Sequence, residues 1–138
     1  MNHRVMRLLV AAFCALVFTG MLSQQTGRGS QGDVTFSKDD QTTTIDCNRI
    51  AITITGDDNK ITTTGDCSKL TVTGDDNVVK AITVNEILVS GDDNTIDVET
   101  VAKISVTGDD NKIAWKKGVG DKRPDVSNAG DDNDIKQD

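Results

Sequence analysis

The stretch Ile52-Thr-Ile54-Thr-Gly56-Asp57-Asp58-Asn59-Lys-Ile61-Thr-Thr63 decides how the rest of the chain is read. Apolar and polar residues alternate on both sides of a Gly-Asp-Asp-Asn tetrapeptide. Period two marks a strand with one buried face, and Gly, Asp and Asn are turn formers. Two short strands joined by a tight corner follow.

The unit recurs. Gly-Asp-Asp-Asn stands at 56–59, 74–77, 91–94, 108–111 and 130–133, at spacings of 18, 17, 17 and 22 residues. A degenerate copy, Lys38-Asp39-Asp40-Gln41, lies 18 residues before the first. The apolar residues hold the same register. Ile52, Leu70, Ile87 and Ile104 stand four before Gly, and Ile54, Val72, Val89 and Val106 two before it. Ile61, Val79, Ile96, Ile113 and Ile135 stand two after Asn, followed at the next inward position by Thr63, Ala81, Val98 and Trp115. A second, less uniform corner reads Cys67-Ser-Lys, Val84-Asn-Glu and Val101-Ala-Lys.

A fixed period of this size marks a stacked repeat. Stacked coils put aliphatic on aliphatic and Asn on Asn, whereas an antiparallel sandwich gives no reason for like corners. The expectation is an all-β fold, a short right-handed parallel β-helix (β-solenoid) of about five coils of 17–18 residues. The hand follows the crossover rule for parallel strands. At about 4.8 Å per coil the rod is roughly 25 Å long. Trp115 stands where smaller residues sit earlier and is expected to close the C-terminal end.

Ahead of the repeat, Arg4 and Arg7 precede an apolar run from Leu8 to Leu22. Fifteen residues are short for a membrane span and about right for a signal-peptide core. The expected organisation is a signal peptide at 1–23, a disordered linker at 24–32, the solenoid at 33–135 and a tail at 136–138. Without the leader, 13 basic residues face 22 acidic ones, a net charge of -9. That balance argues against binding a phosphate backbone, so no nucleic acid is expected. Phe36 and Trp115 are the aromatics that remain, too few for base-stacking platforms.

Cys47-Asn-Arg-Ile50 and Cys67-Ser-Lys-Leu70 match in context, so both cysteines fall at the second corner of successive coils. Stacked equivalent positions lie about 4.8 Å apart, within the Cα range of a disulfide. A Cys47–Cys67 bond is expected, in an exported chain where such bonds persist.

Three columns follow from stacking: Asp57, Asp75, Asp92, Asp109 and Asp131; Asp58, Asp76, Asp93, Asp110 and Asp132; and Asn59, Asn77, Asn94, Asn111 and Asn133. Their expected role is structural. Gly supplies a positive φ at the corner, Asp and Asn bond their own turn backbone, and Asn amides form a ladder. The sharper alternative is Ca²⁺ held between successive carboxylates, which would relieve their repulsion. Outward Thr53, Thr55, Thr71 and Thr73 resemble the hydroxyl array of β-solenoid ice-binding proteins, but Leu88 interrupts it.

Catalytic groups are scarce. The one His is His3, in the leader, and the two cysteines after it are assigned to the bridge. Asp clusters serve polysaccharide-cutting β-helix enzymes, which need a cleft that so short a rod has little room to build. The protein is therefore expected not to be an enzyme and to carry no cofactor. The loop Lys116–Pro124 adds four basic residues to an acidic rod, as a solvated cap or a basic patch.

The leader, the repeated Gly-Asp-Asp-Asn with its apolar offsets and the Cys pair resemble a bacterial family of small secreted or envelope proteins known as a domain of unknown function. The resemblance covers roughly residues 33–135 and brings no established activity. Taken together, the residues lead to the expectation of an exported structural or binding module of the cell envelope or extracellular space. A Ca²⁺-dependent module ranks second and a polysaccharide-active enzyme third. The partner is left open between an envelope polysaccharide and a protein, with membrane contact only through an uncleaved leader.

Overall fold

The computed structural model describes residues 32–138. The signal peptide expected at 1–23 and the linker apart from Gly32 lie outside the described residues. Nine strands follow in order: β1 Val34–Phe36, β2 Thr42–Asp46, β3 Ala51–Ile54, β4 Lys60–Val72, β5 Val78–Val89, β6 Thr95–Val106, β7 Lys112–Gly118, β8 Asp125–Asn128 and β9 Asp134–Gln137. Every pairing between them is parallel.

The pairings make two faces, each six rungs deep. One runs β1, β3, the second halves of β4, β5 and β6, then β8. The other runs β2, the first halves of β4, β5 and β6, then β7 and β9. The fold is a parallel β-solenoid of six coils, one more than the roughly five expected. The degenerate Lys38–Gln41 copy closes a full first coil, and the 22-residue spacing still ends in a paired rung. β9 runs to Gln137, so most of the expected 136–138 tail belongs to the last rung.

Like meets like through the core. Ile52, Leu70, Ile87 and Ile104 are successive partners, as are Ile61, Val79, Ile96 and Ile113. All eight are buried. Burying one such side chain is worth about 1.5–3 kcal/mol, and the column repeats that gain with each coil. Trp115 follows Val98 in its column, is 2% exposed, and has Gln137 as its next partner. A large ring thus fills the C-terminal end of the core.

The second corner is less of a break than two separate strands would require. β4, β5 and β6 run through it, and Cys67, Val84 and Val101 are buried partners there. The bend turns an aliphatic position inward. In β4 the register shifts between Thr63 and Asp66, where Gly65 takes φ +73°. That extra residue accounts for the change from an 18-residue coil to the 17-residue coils that follow. Cys47 and Cys67 are joined by a disulfide with Cα atoms 4.7 Å apart, stapling the first coil to the second.

Candidate functional site

The tetrapeptides line up along one edge, and their geometry shows what each residue does. The second Asp of every copy is in the left-handed region: Asp40, Asp58, Asp76, Asp93, Asp110 and Asp132 have φ between 51° and 57°. The corner glycines are not there, which corrects the expectation that Gly supplies the positive φ. Asp tolerates that conformation better than most side chains do. The glycine is needed for a different reason. A Cβ on Gly74, Gly91 or Gly108 would collide with the carbonyl oxygen of the glycine one coil before it. The coils approach backbone to backbone at this edge, and only hydrogen fits between them.

The first Asp reaches forward. Asp39 Oδ1 accepts from the Asp57 N–H at 2.9 Å, Asp57 Oδ1 from Asp75, Asp75 Oδ1 from Asp92, Asp92 Oδ1 from Asp109, and Asp109 Oδ1 from Asp131. The Asn reaches back. Asn59 Oδ1 accepts from the Gln41 N–H, Asn77 Oδ1 from Asn59, Asn94 Oδ1 from Asn77, Asn111 Oδ1 from Asn94, and Asn133 Oδ1 from Asn111, at 2.8–3.0 Å. Asn59, Asn77, Asn94 and Asn111 are fully buried. The amide nitrogens of Asn77 and Asn94 also donate along the ladder, both at 3.1 Å. Between the two side-chain ladders, each second Asp donates its N–H to the first Asp carbonyl of the following coil. Buried polar groups need such partners, and here neighbouring coils supply them.

These directions explain the degenerate first copy. No earlier coil precedes it among the described residues. Gly and Asn, the two residues that meet the coil before, are replaced by Lys38 and Gln41. Asp39, which serves the coil after, and Asp40, which shapes its own turn, are kept.

The second Asp column is exposed. Desolvation first, and then the charges of Asp58, Asp93, Asp75 and Asp57, push the Asp76 carboxyl above its ordinary value. Among the described residues, no group of three or more His, Cys, Asp or Glu side chains is placed to hold a metal ion. The first Asp column already has one oxygen of each inner member committed to an amide.

Two features were not singled out in the sequence. Glu86 sits between Lys69 and Lys103 at 3.3 and 3.2 Å, in one cross-coil column. Hydrogen bonds from Lys103 and then Lys69, with their charges, hold its carboxyl below the ordinary value. A 17-residue period makes this pairing legible once the register is known. The second feature is a cavity of about 380 Å³ under the loop after β7. Its aromatic wall is Trp115, which sequence alone places only as a core end.

The family model described as "Protein of unknown function (DUF3060)" matches twice, over residues 54–97 and 85–132. The first match takes in the tetrapeptides at 56, 74 and 91, and the second those at 91 and 108 with most of the next. The recognised unit is therefore a run of coils. No curated protein and no solved structure matches the chain. With more than half of its length inside those two matches, this chain belongs to the DUF3060 family.

Proposed function

We propose that this protein is an exported, non-enzymatic β-solenoid that serves as a structural or binding module of the cell envelope or the extracellular space. One observation carries the reading: the polar side chains that repeat are engaged with neighbouring coils. The Asn column is buried, and the first Asp column accepts backbone amides. What faces outward is a rigid surface repeating about every 4.8 Å, suited to a partner with its own repeat. The Cys47–Cys67 disulfide supports an oxidising compartment.

Export is tested with the full chain fused ahead of an alkaline phosphatase that folds only outside the cytoplasm. Active fusion supports the reading, and an inactive but abundant one contradicts it. For the module itself, purified protein is incubated with isolated envelope polysaccharide. Co-sedimentation without new reducing ends is expected. New reducing ends that disappear in an Asp75→Asn, Asp92→Asn variant would make the protein an enzyme. The reading is also independent of Ca²⁺: the melting midpoint is expected to be the same in excess Ca²⁺ and in chelator, and a rise with Ca²⁺ would favour the ion-dependent module.

A further inference from the structure

The corner where the rod departs from its period gathers three cations side by side. After β7 the chain makes a single 3-10 turn, Val119–Asp121, and returns through Lys122-Arg123-Pro124 to β8. The return is held in place by packing. A Cβ on Gly118 would collide with the Lys122 carbonyl, and Pro124 is buried. Trp115, Lys117, Lys122, Arg123 and Gln137 line the cavity of about 380 Å³ beneath it, with Asp121 the one carboxylate among the lining residues.

Three properties set this cavity apart. Its lining carries three cations and one acid, on a chain whose net charge is -7. Among the described residues Lys117, Lys122 and Arg123 have no carboxylate within 4.0 Å, and where other unpaired cations such as Lys60 and Lys80 stand singly along the rod, these three line one space. Trp115 is 2% exposed, yet its Nε1–H has no hydrogen-bond acceptor.

We propose that this cavity binds a small oxyanion, a phosphate or carboxylate group either free or carried on a sugar polymer. Arg123 offers the planar fork that matches such a group, and Lys117 and Lys122 add point charges. The indole gives an apolar wall beside them. The rest of the acidic rod repels anions, so an anion held here is held by this corner alone. The proposal goes beyond the module reading and stands without it, because the cavity lies apart from the tetrapeptide edge.

Trp115 is the chain's one tryptophan, so its fluorescence and its indole N–H resonance report on this site without labels. The full chain is titrated with inorganic phosphate, glycerol phosphate and glucuronate at constant ionic strength. A saturable change in both signals is expected. Arg123→Ala and Lys122→Ala should each weaken it roughly tenfold, the size of a lost charge-assisted hydrogen bond. Lys60→Ala, in the second coil, should leave it unchanged. Tighter binding of glycerol phosphate or glucuronate than of phosphate assigns the site to a polymer-borne group, and the reverse order assigns it to a free anion. The proposal is overturned if none of the three gives a saturable change, if chloride alone reproduces it, or if the Arg123→Ala, Lys122→Ala double variant with an unaltered circular dichroism spectrum binds as well as the parent.

Discussion

At the scale of single residues, the stack rests on side chains whose bonds run mostly to neighbouring coils. Asn94 accepts from the Asn77 backbone and side chain and donates to Asn111 and to the Asp92 carbonyl. Asn94→Ala strands the buried Asn77 donors and is expected to cost about 3 kcal/mol in urea unfolding. Asn59 accepts only from Gln41, and its Nδ2 has no partner, so Asn59→Ala should cost about 1 kcal/mol. Equal losses would show that the ladder is not what stabilises the edge. Glycine separates two mechanisms in the same way. Gly91→Ala drives a methyl into the Gly74 carbonyl and should cost about 1–3 kcal/mol through forced separation of coils. Gly120→Ala meets open space but sits at φ +64°, and about 1 kcal/mol of backbone strain is all it should show. The corner was legible in the sequence and its mechanism was not. A Gly-Asp-Asp-Asn reads as a turn in any context, but which residue takes the left-handed conformation depends on how closely the next coil approaches.

At the scale of the element, a strand here is stable through the strands before and after it. The charge column Lys69, Glu86, Lys103 shows this on the exposed face. Glu86 has a lowered folded pKa, so its pairing contributes stability at pH values above the ordinary carboxylate range and loses it as pH falls through the folded value. Glu86→Gln should lower the melting midpoint slightly at pH 7, and the difference should shrink as pH falls through the folded value, a contrast that salt also erases. A larger effect at pH 3 than at pH 7 would reverse the sign of the argument. The hydroxyls of Thr55, Thr73 and Thr107 donate at 3.3 Å to carbonyls of the preceding coil, which explains Thr beside the corner without an external lattice. The disulfide acts on one pair of elements. Closing a loop across 20 residues is worth about 3 kcal/mol, so reduction should lower unfolding stability by that order. Because coils couple mainly to neighbours, hydrogen exchange should quicken first in β2 and β3 and last in β6. Uniform quickening along the rod would contradict such nearest-neighbour coupling.

At the scale of the whole molecule, the period decided the architecture, and its interruptions decided where function is sought. Periodicity shows which residues share a column, so the solenoid, the aliphatic columns and the Cys47–Cys67 pair could be read from spacing. The Trp115 cavity could not. It arises from a loop that leaves the period, and nothing in Lys116–Pro124 alone says that the loop folds back on Gly118. The coil count fell one short although all six corners were visible, because each corner, Lys38–Gln41 included, carries a paired strand on both sides and so belongs to a coil of its own. The central claim is that successive repeats stack in register from end to end. Thr35, Thr53, Thr71, Leu88, Ser105 and Ser127 are consecutive partners on one face, and the first and last are exposed. Spin labels introduced by Thr35→Cys and Ser127→Cys, with the native disulfide intact, measure that stack by electron–electron dipolar spectroscopy. Five steps of about 4.8 Å give one narrow distance near 24 Å. A broad distribution, or a single distance far from that value, would mean that the repeats do not lie one upon another.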